Sequence, residues 1–138
     1  MGQWRATADI PATVRGPAAA RHLVGTLLRG WQLEPLIDAA ELVVSELVTN
    51  AILHAPGEDS HELELVAHAG RLRITVADGS AIRPMVAVEL HPDQPHGRGL
   101  HIVEALATRW GVDDHHGGKR LWVELAVPGK DSNHLTRT

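Results

Sequence analysis

The sequence predicts an α+β domain of two layers, with helices packed on one face of a mixed, largely antiparallel sheet. Three observations lead there. Apolar residues recur at helical spacing across residues 17–54. Apolar and polar residues alternate with period two across 60–78 and again near the end of the chain. No internal repeat or linker divides the 138 residues. Helices and strands that are segregated in sequence favour a single layer of helices over one sheet.

Each element follows in order. Residues near Gln3 to Ala8 form a short strand. A helix begins near Pro17, since proline is tolerated in a first helical turn, and places Leu23, Leu27, Leu28 and Trp31 at helical spacing. Gly25 and Gly30 weaken it, and Gly30 helps to end it. A second helix runs from about Pro35 to His54 and stops before the loop "APGEDS". In "HELELVAHAGRLRITVADG", Leu63, Leu65 and Ala67 alternate with polar neighbours, and Leu72, Ile74 and Val76 do the same after the turn. That is a strand, a tight turn and a returning strand. Residues Ser80 to His96 carry three prolines and no firm period, so they read as a loop. A third helix starts at Gly97 and uses Leu100, Val103 and Leu106. The last hairpin turns through "HHGGK", with Leu121, Val123, Leu125 and Val127 on one face. The expected organisation is one domain over residues 1–128 and a polar, fraying tail over 129–138.

Composition narrows the function classes. Hydrophobic residues make up 43% of the chain, enough for a core and too many for a disordered segment. With no Phe or Tyr, aliphatic residues and four Trp must build that core. A net charge of −4 gives no bulk attraction to nucleic acid or anionic lipid. The absence of Cys excludes disulfides and thiolate metal sites and fits a reducing compartment. No signal-peptide core is visible at the N-terminus, and the apolar runs fall short of the ~20 residues of a membrane span. A cytoplasmic protein without direct nucleic-acid or membrane contact is expected.

Three stretches carry chemistry. In "SELVTNAILHA", Glu46, Asn50 and His54 form a drifting polar row beside the apolar Ala40, Val44, Leu47 and Ala51. A second polar row, Asp38, Glu41, Ser45 and Thr49, is expected to face water. The Glu46 row is either the rim of a wide solvated face or a site where a carboxylate takes a proton and an amide oxygen binds a hard cation such as Mg²⁺. Asp78 shares the parity of Leu72, Ile74 and Val76, so it ends a buried strand face. It is either a turn-forming Asp in "DGS" or an acceptor for a ligand donor, with Gly79 allowing close backbone approach. Gly97 and Gly99 open a helix, where backbone N–H groups attract phosphate and Arg98 adds charge, although flexible helix entry is the commoner reason for such glycines. The pattern is neither a dinucleotide fingerprint nor a P-loop. The histidines at 91, 96, 101, 115 and 116 lack compact metal-ligand spacing, and Trp4, Trp31, Trp110 and Trp122 read as fillers of core gaps or edges.

In this order and spacing the three stretches resemble the Bergerat-fold, or GHKL, ATPase superfamily. "ELVTNAILHA" is similar to its N-box, "VADGS" to its first glycine box and "GRGL" to its second. The resemblance runs from about residue 17 to 127 and is closest to the small single-domain branch, the anti-sigma-factor serine/threonine kinases. It implies ATP held between the second helix, the strand end and a lid over Ser80 to His96. It implies that Asn50 coordinates Mg²⁺ and that Asp78 binds the adenine amine, with Gly79 and Ile82 beside it. It further implies that Gly97, Arg98, Gly99 and Leu100 line the phosphates and that Glu46 is the general base. His54 is implied at the nucleotide side, bracing the helix end. Departures stand at Ser80 and Ile82, in the usual glycine positions, and at Arg120, where many relatives carry a Thr supporting adenine binding.

The implied activity is Mg-ATP-dependent phosphorylation of a protein antagonist on Ser or Thr. The implied partners are ATP or ADP, an anti-sigma-factor antagonist, a sigma factor, and a second copy in a homodimer. The competing reading is a non-catalytic nucleotide-binding module whose ATP/ADP state sets partner affinity. A detached histidine-kinase domain is a third reading, which would need a phosphoacceptor-histidine helix pair.

Overall fold

The computed structural model describes residues 2–55, 57–78, 103–115 and 118–127. The expected lid, the start of the third helix and the polar tail lie outside them. Strand β1 (Trp4–Pro11) leads into helix α1 (Gly16–Gly30), a 3₁₀ turn (Glu34–Leu36) and helix α2 (Ile37–His54). Strands β2 (Ser60–His68), β3 (Arg71–Asp78), β4 (Arg109–His115) and β5 (Gly118–Ala126) complete the element order. Residues 103–106 are helical.

Helix α1 starts where Pro17 allows it and buries Ala20, Val24 and Leu28, one turn apart, on its inner face. It ends as Gln32 takes a left-handed φ of 61°, and the Leu33 N–H returns to the Leu28 carbonyl at 2.8 Å. The chain then reverses into the Pro35-bearing turn and α2, which runs antiparallel to α1. Three contacts fix this. A Cβ on Gly16 would press on Val48 and Ile52, the Arg21 guanidinium donates to Ser45 Oγ at 3.0 Å, and a Cβ on Gly25 would meet Glu41 Oε2. The row Asp38, Glu41, Ser45 and Thr49 was expected to face water. Asp38 does, but Glu41 and Ser45 lie half-buried against α1, because antiparallel helix packing needs a second contact face that single-helix periodicity does not reveal.

The sheet order is β1-β2-β3-β5-β4, and every described pairing is antiparallel. The β2–β3 turn uses Ala69 and Gly70 at φ 54° and 79°, the positive pair that suits a two-residue hairpin loop to strand twist. Leu63, Leu65, Leu72, Ile74, Val76, Leu121, Val123 and Leu125 face the helices, as alternation predicts, and are buried with Val43, Val44, Leu47 and Val48 of α2. Helix α1 packs on β1, whereas α2 lies over β3 with β2 and β5. The other face of the sheet carries charged side chains, and no described element covers it.

Candidate functional site

Helix α2 turns one flank to α1 through Glu41, Ser45, Val48 and Ile52. At about 100° per residue, Glu46, Asn50 and His54 fall on the opposite flank, toward the β5–β4 side of the sheet. Burial deepens along the first two: Glu46 is half-buried, whereas Asn50 is 4% exposed. His54, the last residue of the helix, is half-buried. Burial pushes the Glu46 carboxyl above the usual carboxylate range, because desolvation penalises its charged form. Asn50 Oδ1 is buried and accepts no hydrogen bond among the described residues. A buried carbonyl oxygen left without a donor costs about 1–3 kcal/mol, so its retention calls for a partner that is not part of the apolar core.

The sheet brings a second group of residues to the same end. The Gly16 contacts set Val48 and Ile52 beside Pro11, the last residue of β1. Pro11 pairs with Ser60 at the start of β2, Glu62 with Ala77 near the end of β3, and Asp78 with Lys119 at the start of β5. The C-terminal half of α2 therefore overlies the sheet end at which β3 finishes with Asp78. Lys119 has the parity of Leu121 and Val123, lies on the helix-covered face and is 2% exposed. Arg120 has the other parity and lines a cavity on the uncovered face. The structure does not bring Arg120 to the Glu46–Asn50 flank; alternation puts its side chain on the far side of the sheet from the helices. Lys119 was not singled out from the sequence, although the parity argument applied to Asp78 would have found it.

These features converge on one end and one flank: a carboxylate with a raised proton affinity, an amide oxygen in need of a partner, and a strand end carrying Asp78. A family model for the histidine kinase-like ATPase domain matches residues 10–125, a span that contains all of them. The chain belongs to that family. As a histidine kinase-like ATPase domain it is an ATP-binding domain, and the α+β fold agrees with solved relatives. Over 90% of its length it superposes on the structure of the RsbU and RsbW domains of Rv1364c from Mycobacterium tuberculosis, with 21% identity and a TM-score of 0.67. Over 89% it superposes on the histidine kinase domain from the Erythrobacter litoralis EL346 blue-light activated histidine kinase, with 18% identity and a TM-score of 0.57. The match spans 32% of the first of those chains and 64% of the second. No curated protein matches the sequence significantly.

Within this ATPase domain, Glu46, Asn50 and His54 share a flank, and Asp78 ends the strand beneath it. Gly79, Ile82, Gly97, Arg98, Gly99 and Leu100 lie outside the described residues. Among the described residues no group of three or more His, Cys, Asp or Glu side chains is placed to hold a metal. Asn50 Oδ1 nonetheless fits Mg²⁺, a hard cation that takes few protein oxygens and completes its shell with phosphate and water. No helix among the described residues is long and apolar enough to cross a membrane.

Proposed function

We propose that this ATPase domain is a regulatory protein serine/threonine kinase of the anti-sigma type, using Mg-ATP to phosphorylate an antagonist protein. The observation that carries the reading is the buried Asn50 Oδ1, which accepts no hydrogen bond among the described residues, one helical turn from a half-buried Glu46. Asn50 would hold Mg²⁺, whose chemistry is to neutralise phosphate charge. Asp78 would take the adenine amine, with Gly79 and Ile82 alongside, and the Gly97–Leu100 stretch would line the phosphates. His54 would brace the helix end on the nucleotide side. The Arg120 side chain, on the far face of the sheet, takes no part in this reading.

In the transfer step the acceptor hydroxyl oxygen attacks the γ-phosphorus while its proton passes to the Glu46 carboxylate. The bond between the γ-phosphorus and the bridging oxygen breaks, and ADP leaves with that electron pair. A carboxylate whose proton affinity is raised by burial is a better acceptor near neutral pH than an exposed one. Positioning and charge neutralisation supply the remainder of the rate enhancement in such reactions.

The test is transfer of labelled phosphate to co-encoded antagonist proteins by wild type, Glu46→Gln and Asn50→Ala. The proposal expects Glu46→Gln to retain ATP binding and lose transfer by 10²-fold or more, within the range of general-base contributions. Equal transfer by wild type and Glu46→Gln would remove Glu46 from the chemistry. ATP binding with no transfer by wild type to any antagonist would favour the nucleotide-sensing module, in which ATP or ADP only sets partner affinity. A homodimer and a bound sigma factor belong to the same proposal and are read by sedimentation with and without nucleotide.

A further inference from the structure

The sheet face that no helix covers carries an ordered arrangement of charge. Strand register sets Arg5, Val66, Arg73, Glu124 and Arg109 in one row across all five strands. Strands lie ~4.8 Å apart, so the row is about 19 Å long. In the neighbouring row toward the β2–β3 turn, His68 pairs with Arg71. Toward the other end of the strands the face becomes acidic, with Asp9, Glu62 and Asp113 on the same side as Arg120. The face is thus basic at the end remote from Asp78, in a chain whose net charge is −4.

The basic half is preorganised. Glu124 accepts from Arg73 Nη2 at 2.8 Å and from Arg109 Nε at 2.9 Å. Those two guanidiniums lie 4.4 Å and 5.5 Å from the centroid of the Trp122 ring. Arg5 Nε donates to Glu64 at 2.7 Å. A cavity of about 440 Å³ opens here, lined by Arg5, Arg71, Arg73 and Arg120 against Glu64 and Glu124. Three of these guanidiniums, those of Arg5, Arg71 and Arg73, each with five N–H donors, face two carboxylates. The cavity therefore holds more donors than its own acceptors can use. Guanidinium forks held in place by stacking and ion pairing are suited to bidentate carboxylate recognition.

We propose that this face is a docking surface for an acidic segment of a partner protein, laid across the strands on the Arg5–Arg73–Arg109 row. Charge complementarity identifies the occupant, and length favours a segment over a small ion. About six extended residues cover 19 Å, presenting alternate carboxylates to the row. The surface lies on the opposite side of the sheet from the nucleotide-binding flank, so one molecule can hold both ligands at once.

The test uses the full chain and a fluorescent ten-residue peptide rich in Glu and Asp, with its Gln/Asn analogue and inorganic phosphate as comparisons. The acidic peptide should bind, weaken as salt rises, and lose about tenfold or more in affinity for the Arg5→Glu/Arg71→Glu double variant. Both arginines are exposed, so the variant should melt and bind ATP as wild type does. The proposal is overturned if the analogue binds equally well, if phosphate binds the arginines while the peptide does not, or if the double variant binds the peptide unchanged. Loss of ATP binding or transfer by active-site variants does not bear on this face, so the two proposals fail separately.

Discussion

Replacing Asn50 with leucine tests the nucleotide site without knowledge of the acceptor. Asn50 Oδ1 is buried and accepts no hydrogen bond among the described residues. Leaving such a group unsatisfied costs about 1–3 kcal/mol. Leucine has a similar branched shape and removes the polar atom, at a repacking cost that for near-isosteric changes stays below about 1.5 kcal/mol. The expected balance is stabilisation by about 1 kcal/mol, or about 3–4 °C in Tm for a domain of this size. Wild type at Mg-ATP a hundredfold above its Kd should gain about 2.7 kcal/mol by linkage, and Asn50→Leu should gain almost nothing. The assay is thermal and urea unfolding of both proteins with and without Mg-ATP. Two results would refute the reasoning. A loss of about 2 kcal/mol or more in the nucleotide-free variant would mean that the oxygen is already satisfied. A Mg-ATP shift equal to that of wild type would mean that Asn50 does not form part of the wall.

Other consequences follow from the same structure. Glu46 has a folded-state pKa above its unfolded value, so the folded state binds more protons between the two and stability falls as pH rises through that window. Glu46→Gln should therefore melt no lower than wild type at pH 7, with the difference vanishing at pH values below both pKa values. Glu124 is held below the usual carboxylate range, chiefly by the Arg109 hydrogen bond and also by Arg73, against the opposing effect of burial. Its contribution is present above its unfolded pKa and lost as pH falls through the lower folded one, so Glu124→Gln should lower Tm at pH 7 and progressively less as pH falls through the folded-state pKa. A Cβ on Gly111 would stand 2.8 Å from Trp122 Cζ2. Gly111→Ala should therefore displace the indole from its two arginines and cost about 1–3 kcal/mol, read by urea unfolding and tryptophan fluorescence. Gly16→Ala should cost at least as much, because its Cβ would run into the Pro11 carbonyl oxygen, which cannot move without the backbone. Gly25→Ala meets the flexible ends of Glu41 and Arg29 and should be neutral or stabilising.

Strand alternation was the most legible feature. The parity of Leu72, Ile74 and Val76 fixed the inward face of β3, and that of Leu121, Val123 and Leu125 fixed the face of β5. The same rule, continued two residues toward the N-terminus, separates Lys119 from Arg120. The resemblance pointed to Arg120, but only the register of β5 shows that its side chain belongs to the uncovered face. Helix periodicity placed Glu46, Asn50 and His54 in one row and could not say what each side of α2 meets. The Glu41–Ser45 row reads as a solvated stripe until α1 is packed against it, since helix–helix contacts depend on chain reversal at Gln32 and not on the pattern within one helix. The Trp122 stack was illegible for a related reason. Arg73, Arg109 and Trp122 lie on three strands, and their meeting depends on strand order, which alternation does not specify.

The position of α1 explains why the polar residues of α2 are tolerated where they are. Helix α1 lies over β1, at one edge of the sheet, and closes the core with Ala20, Val24 and Leu28. Helix α2 thus has one flank sealed by a helix and the other turned toward β5 and β4. On the sealed flank Ser45 Oγ accepts from the exposed Arg21 guanidinium at the rim of the helix pair. On the other flank Asn50 Oδ1 is buried and accepts no hydrogen bond among the described residues, so a cation or donor brought by a ligand would satisfy it. The penalty thus follows the flank and not the residue type. Exchanging Ser45 for leucine should destabilise the protein by crowding α1, whereas Asn50→Leu should stabilise it. Equal destabilisation by the two substitutions in urea unfolding would show that both flanks are packed alike.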